Sequence, residues 1–412
     1  MNLDWKKIGV FALIIGATAL LIFFIYWFFW LPFFAPPAIT PIEQPATTTI
    51  SQFPEAGAGN QQIATQSGSL PQSPGQTPAS VPTVTQTAQG GLTAINAIVK
   101  DPVYFSSMTS GGTINYYNTK DGKFYRVDSN GNITALSDQV FYNVSNAIWD
   151  NKGGKAVLEY PDGSNIVFDF NTQKQITLPK HWESFEFSPN DEQILFKNMA
   201  LDTENRFLVA AKYDGSSPKI LESIGGIENQ IQTNWSPNNQ MVATFNEGKD
   251  LNRSEVYFVG LNGENFKSMI VEGRGFQSEW SPNGGRLLYS VHNMTDFKPQ
   301  LWISDAYGDN VGTNRQALSL NTWPDKCTFA GNDTLYCAVP RNLPDGADID
   351  RSVANTLADD IYQIDLTTGQ QTLIATPTRQ GSISNIMYNI SSPKSLFFSD
   401  ANNNRIYKID LP

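Results

Sequence analysis

Three segments of the chain repeat one pattern: Phe187-Ser-Pro-Asn-Asp-Glu-Gln-Ile-Leu-Phe196, Trp235-Ser-Pro-Asn-Asn-Gln-Met-Val-Ala-Thr244 and Trp280-Ser-Pro-Asn-Gly-Gly-Arg-Leu-Leu-Tyr289. Each reads as a strand ending on an aromatic residue, a tight turn and an apolar return strand. Proline presets the turn, Asn and Gly accept positive φ, and the aromatic or β-branched flanks pair across it. Weaker copies stand at Trp149-Asp-Asn-Lys-Gly-Gly154, Cys327-Thr-Phe-Ala-Gly-Asn332 and Tyr388-Asn-Ile-Ser-Ser-Pro393. A second hairpin follows after a variable loop, as in Phe124–Gly131, Val256–Gly263, Leu301–Gly308 and Ile361–Gly369. Four strands per roughly 40 residues, with no helical period in this region, predict β-propeller blades.

Blade starts fall near 102, 144, 184, 231, 276, 324 and 384, which predicts an all-β, seven-bladed propeller. Six or eight blades stay open if the degenerate first or sixth copy is miscounted. The last copy ends at Arg405-Ile-Tyr-Lys-Ile-Asp410, after its third strand. Leu92 to Lys100 (LTAINAIVK) reads as the missing fourth, which would close the ring and remove an exposed edge.

The N-terminal part differs in kind. Ile8 to Phe34 holds no charged residue and exceeds the roughly 20 residues that cross a bilayer as a helix. Lys6 and Lys7 precede it, so positive-inside bias predicts a cytoplasmic N-terminus, an anchor in membrane lipid and an extracytoplasmic remainder at the cell membrane. A cleaved signal peptide fits less well: the run exceeds the usual 7–15 apolar residues, roughly, and no A-x-A-like site follows. Residues 36–93 are rich in Pro, Thr, Gln, Ser, Ala and Gly, with Glu43 and Glu55 their only charges. Such a segment cannot bury enough apolar surface to order itself, and as a flexible coil it reaches about 40 Å. The expected organisation is a transmembrane anchor over 1–35, a disordered linker over 36–93 and a propeller over 94–412.

Charge and rare residues narrow the function. With 39 acidic against 28 basic side chains the chain carries −11, which argues against nucleic acid as a partner. Two cysteines and two histidines leave little for metal or acid–base chemistry, so neither a metal nor a cofactor is expected. No G-x-S-x-G elbow accompanies the histidines, and no catalytic residue is assigned. Asp128-Ser-Asn-Gly-Asn132 and Asp305-Ala-Tyr-Gly-Asp309 have the look of short calcium loops but sit where a third strand turns into a fourth, and read as turns.

The Trp/Phe-Ser-Pro-Asn hairpin followed by Ile361-Tyr-Gln-Ile-Asp-Leu-Thr-Thr-Gly369 resembles the repeat of TolB-type propellers, also seen in the propellers of prolyl oligopeptidases. The resemblance covers about three quarters of the chain and implies the fold; propellers of this type serve as docking platforms, ligand binders and enzyme gates alike. TolB-type proteins carry an N-terminal α/β domain where this chain shows an apolar run and tether. The hydrolase motif of prolyl oligopeptidases is missing.

Strand direction indicates where binding belongs. In a four-stranded antiparallel blade, the second-to-third connection and the connection to the next blade emerge on one face. The long loops 197–206, 246–255, 292–300 and 341–360 all fall there, whereas the opposite face has tight turns. Insertions gathered on one face of a rigid scaffold mark a binding face, although surface insertions also accumulate at little thermodynamic cost. The candidates are His181, Trp182, Arg274, Trp323 and Arg379 from inter-blade connections, His292 from a blade 5 loop, and Asp345, Asp348 and Asp350 from the blade 6 insertion. That insertion also contains Ser352-Val-Ala-Asn-Thr-Leu357, read as a short capped helix over the funnel. For each single candidate, packing or simple solvation is the competing reading. The expected function is a binding or scaffolding module for an envelope protein or polysaccharide; the alternative is a propeller enzyme such as a lactonase or glycan-cleaving enzyme.

Cys327 and Cys337 are expected to form a disulfide. Setting Cys327 at the place of Trp280 puts the two on paired strands, and a three-residue loop at Gly331-Asn332-Asp333 makes Phe329 face Leu335 and Cys327 face Cys337. Neighbours in a non-hydrogen-bonded pair lie within reach of a bridge.

Overall fold

The computed structural model describes Thr18, Leu20, Leu21, Phe23 and Phe24, then residues 83–389 and 394–412. Lys6, Lys7, most of the apolar run and the linker up to residue 82 lie outside the described residues, and with them the anchor and its orientation. Among the described residues no helix is long and apolar enough to cross a membrane. The chain divides into two units, 1–77 and 78–412, and the following concerns the second.

Seven antiparallel sheets follow one another. Blade 1 runs from Val103–Met108 to Ile133–Ala135, blade 2 from Asn146–Trp149 to Lys174–Leu178, and blade 3 from Trp182–Phe187 to Lys219–Ser223. Blade 4 runs from Ile231–Thr233 to Met269–Val271, blade 5 from Arg274–Trp280 to Gln316–Ala317, and blade 6 from Cys327–Phe329 to Gln371–Pro377. Blade 7 has Ile383–Asn389, Ser395–Asp400 and Ile406–Asp410, and its fourth strand is Asn96–Val99, antiparallel to Ile406–Asp410. The closing strand lies where the repeat count calls for it. Leu92–Thr93 also adds in parallel to the outer strand of blade 6, and the Ala88 amide bonds to the Asp410 carbonyl at 2.9 Å. Residues 85–93, the end of the stretch read as linker, are therefore laid along the outer rim of blades 6 and 7.

The Ser-Pro-Asn turn owes its recurrence to one hydrogen-bond pattern. The serine hydroxyl accepts from the amide that begins the return strand, at 2.9 Å for Gln193 to Ser188, Met241 to Ser236 and Arg286 to Ser281. It donates in turn to the asparagine Oδ1, at 2.7, 2.8 and 2.9 Å. The residue after the asparagine takes the left-handed conformation: Asp191, Asn239 and Gly284 have φ of 64°, 59° and 67°. Two of the turn aromatics join neighbouring blades: Trp280 Nε1 donates to the Asn234 carbonyl at 3.0 Å, and Trp149 Nε1, ahead of Asp150, to that of Phe105 at 2.8 Å.

Every seam between blades holds its own apolar cluster. Val157, Val167 and Ile194 fill the seam between blades 2 and 3, Trp235, Val242 and Leu208 the next, and Trp280, Tyr289 and Phe258 that between 4 and 5. The cluster of Val99, Val103, Val127 and Phe397 seals blade 7 to blade 1, so the ring is closed by apolar burial as well as by a strand. First strands of blades 1 to 4, and of blades 6, 7 and 1, are neighbours in contact. In blades 1, 3, 5 and 7 they carry a bulge, at Tyr104/Ser107, Glu183/Glu186, Arg274/Gln277 and Ile383/Asn385. A bulge re-aims the side chains beyond it.

Blade 6 contains the bridge: Cys327 and Cys337 are directly opposite and disulfide-bonded, with Cα atoms 4.0 Å apart. The register corrects one detail. Phe329 pairs with Leu335 as Trp280 pairs with Leu287, so Phe329 takes the aromatic place and Cys327 stands at the level of Ser278.

Candidate functional site

The long loops emerge on one face, as the strand directions require. Between second and third strands they span 199–206 in blade 3, 249–253 in blade 4, 293–298 in blade 5 and 341–358 in blade 6. The last is a folded piece with its own small core: Leu343, Ala347 and Ala354 pack on Trp323, which is fully buried. Asp350 caps a 3₁₀ helix over Arg351–Thr356 by accepting from the Ser352 amide at 3.1 Å.

Three of the sequence candidates meet here. His292 Nδ1 and Trp323 Nε1 both donate to Asp348, at 2.5 Å each, with His292 and Asp348 almost entirely buried. This ties the blade 6 insertion to the blade 5 loop, which also receives the Gly346 and Asp348 amides on its Asp296 and Phe297 carbonyls. Asp345 is exposed and pairs with Lys298 at 3.0 Å. The remaining candidates stand apart, each with its own contacts. His181 is exposed, and its carbonyl accepts from the Met199 amide. Trp182 stacks on Phe196 with ring centroids 3.7 Å apart. Arg274 donates to the Asp250 carbonyl, and Arg379 Nε donates to Asp400 at 2.9 Å. The tryptophans and His292 are thus packing elements, while His181, Asp345 and the loop tips face solvent.

Beside the insertion lies a buried ion pair that sequence reading missed. Lys326 Nζ donates to Asp359 Oδ2 at 2.8 Å, and the Ile383 amide donates to the same oxygen at 2.6 Å. Burial lowers the lysine's affinity for its proton and raises the aspartate's, and each partner opposes the shift of the other. It joins blade 6 to the start of blade 7.

A second concave feature lies on the axis at the opposite, tight-turn face. A cavity of about 770 Å³ is walled by residues of blades 1, 5, 6 and 7, with Asn151 of blade 2 at its edge. The residue one place before the strand end supplies part of the wall: Ser107, Glu279 and Thr328 precede Met108, Trp280 and Phe329. Blade 3 puts Glu186 in the same place. Glu279 is exposed at the cavity wall, yet desolvation by the surrounding protein pushes its carboxyl up to about 7, with Asp325 adding to the shift. Glu186 is pushed up to about 8, mainly by burial; its Oε1 accepts from the Trp235 amide at 2.8 Å, which opposes the shift, and Glu279 adds to it. Glu186 Oε2 is sealed from solvent without a hydrogen-bond partner. The signal for these two residues was present in the repeat, since Glu186, Asn234 and Glu279 occupy one place in three strong copies. Among the described residues no group of three or more His, Cys, Asp or Glu is placed to hold a metal ion.

No protein-family model matches the chain, and no curated protein does. Solved structures do resemble it. The β-propeller domain of Cps50 (Swd1) from Myceliophteria thermophila aligns with a TM-score of 0.51 at 12% identity, over 77% of this chain and 100% of that domain. The β-propeller domain of the Trilobed protease from Pyrococcus furiosus gives 0.49 at 13% identity, over 75% and 96%. An oligogalacturonate lyase in complex with manganese gives 0.47 at 10%, over 77% and 93%. At such identities the likeness is one of fold: the chain is a seven-bladed β-propeller.

Proposed function

We propose that the chain is a TolB-like propeller, anchored to the cell membrane by its N-terminal apolar run and facing outward, whose long-loop face docks an envelope protein. One observation carries this reading. Four successive blades each hold up an aliphatic side chain at a loop tip: Leu201 is 99% exposed, Leu251 76%, Met294 44% and Ile349 68%. Tyr142, on the connection from blade 1 to blade 2, is 75% exposed on the same face. Apolar tips on a rigid scaffold, next to a platform fixed by the Asp348 contacts, suit a protein partner. A polysaccharide would favour several exposed aromatic planes, whereas on this face Tyr142 stands beside four aliphatic tips, and Trp182 and Trp323 are engaged in packing. The disulfide supports an oxidising, extracytoplasmic compartment.

The test is a triple substitution, L201S/L251S/I349S, in cells. Protein crosslinks made by the native chain should disappear while the folded protein accumulates normally. Unchanged crosslinks would reject the loop face. For topology, protease added to cells stripped of outer barriers should cut the tether and leave a compact propeller; digestion only after lysis would reverse the orientation. The enzyme alternative draws on Glu186 and Glu279, two carboxyls that keep protons near neutral pH, as a general acid must. Turnover of a lactone or oligosaccharide that is lost in E279Q would favour it.

A further inference from the structure

The axial cavity is electrically one-sided. Among the described residues that line it, Glu279 is the only charged one, and none is a lysine, arginine or histidine. Among the described residues Glu279 has no hydrogen-bond or ion-pair partner in the fold. Glu186, from blade 3, is close enough for the charge of Glu279 to disfavour its own ionised form, and it leaves one buried oxygen without a donor. Asp325, just ahead of the first strand of blade 6, adds a further negative charge and is itself held by Arg351 at 2.5 Å. A carboxylate facing a cavity without a cation costs stability unless something positive enters.

The rest of the wall says what kind of cation. Trp280, Phe329 and Tyr388 contribute aromatic surface, and Thr328 and Asn385 contribute hydroxyl and amide groups. A divalent metal wants several carboxylate oxygens, which the wall does not supply, and 770 Å³ is far more room than an ion needs. It suits a small organic molecule, for which cavities run from about 300 to 1,000 Å³. Aromatic faces attract ammonium groups and also cover a carbon skeleton.

We propose that the axial cavity binds a small organic molecule bearing a primary ammonium group, with Glu279 as its counter-ion and Trp280, Phe329 and Tyr388 against its hydrocarbon part. This site lies on the face opposite the loop tips and stands independently of the docking reading. The hydroxyl and amide groups of Thr328 and Asn385 serve the polar remainder of the ligand.

The test is calorimetric titration of the full chain in detergent micelles with 1,4-diaminobutane at pH 8. Saturable binding is expected for the diamine and none for butane-1,4-diol. E279Q should weaken the diamine at least tenfold, whereas D345N, on the other face, should leave it unchanged. A second measurement uses the native chain alone: affinity should fall at least tenfold from pH 8 to pH 5.5, because Glu279 and Glu186 take up protons over that range while the amine stays charged. No saturable binding, equal binding by E279Q, equal binding of the diol, or a pH-independent affinity would each overturn the proposal. Tight calcium binding that displaces the diamine would also overturn it, in favour of a metal site.

Discussion

Glu186 places an ionisable group where the fold resists its charge, and E186Q measures that resistance. Burial pushes the carboxyl up to about 8 in the folded chain from an ordinary 4.5. A carboxyl whose folded value is raised binds its proton more tightly folded than unfolded, so the native chain loses stability as pH rises from about 4.5 through about 8. Linkage over pH 5 to 9 puts this loss at about 2–4 kcal/mol, the upper figure corresponding to the full shift. Glutamine keeps the oxygen that accepts from the Trp235 amide but puts an NH₂ where Oε2 has no partner, a pH-independent cost of about 1–3 kcal/mol. Urea unfolding at pH 5, 7 and 9 separates the two contributions. At pH 5 the variant should be equal to the native chain or weaker; by pH 9 the difference should have moved by about 2–4 kcal/mol in its favour. A difference that stays constant across the range would refute the idea that burial holds this proton.

Replacing Cys327 and Cys337 by serine should lower stability by about 2–3 kcal/mol through the lost loop closure of a 10-residue separation, read by urea unfolding. Two free thiols on labelling the denatured, unreduced native chain would refute the bridge. D348A leaves the buried His292 and Trp323 donors without their acceptor, which should cost about 2–4 kcal/mol and open the 341–358 insertion to proteolysis before the blades unfold. Removing Asn96–Val99 uncovers the edge of Ile406–Asp410 and the seam with blade 1, so the truncated chain should aggregate or dimerise by edge pairing, visible in size-exclusion chromatography.

The blades were legible because a propeller is built from local hairpins. Ser188, Ser236 and Ser281 close their turns within five residues, so the chemistry that makes the hairpin is written in the repeat itself. Ring closure could be inferred from a counting mismatch, three strands at one end and one at the other. The cross-strand cysteines followed from loop length alone, although the alignment to Trp280 was displaced because Phe329, not Cys327, fills the aromatic place. The sites were harder to read for a different reason. Asp348 acts on His292, 56 residues away, and a loop residue that looks exposed in sequence becomes the acceptor inside a small core. The axial cavity draws its wall from blades at both ends of the chain, so no local pattern outlines it. Only the position before the turn aromatic hints at it, one residue inside a strand that ends on that aromatic.

Site-specific photo-crosslinking in intact cells separates the two faces of the ring. A photoreactive residue placed singly at Leu201, Leu251 or Ile349 on the loop face, and at Asn283 or Tyr307 on the tight-turn face, samples both sides of the same folded chain. With docking on the loop face, one shared protein partner is captured from the three loop-face positions and is absent from the two turn-face positions. Capture from Asn283 and Tyr307 with silence from the loop tips would contradict it.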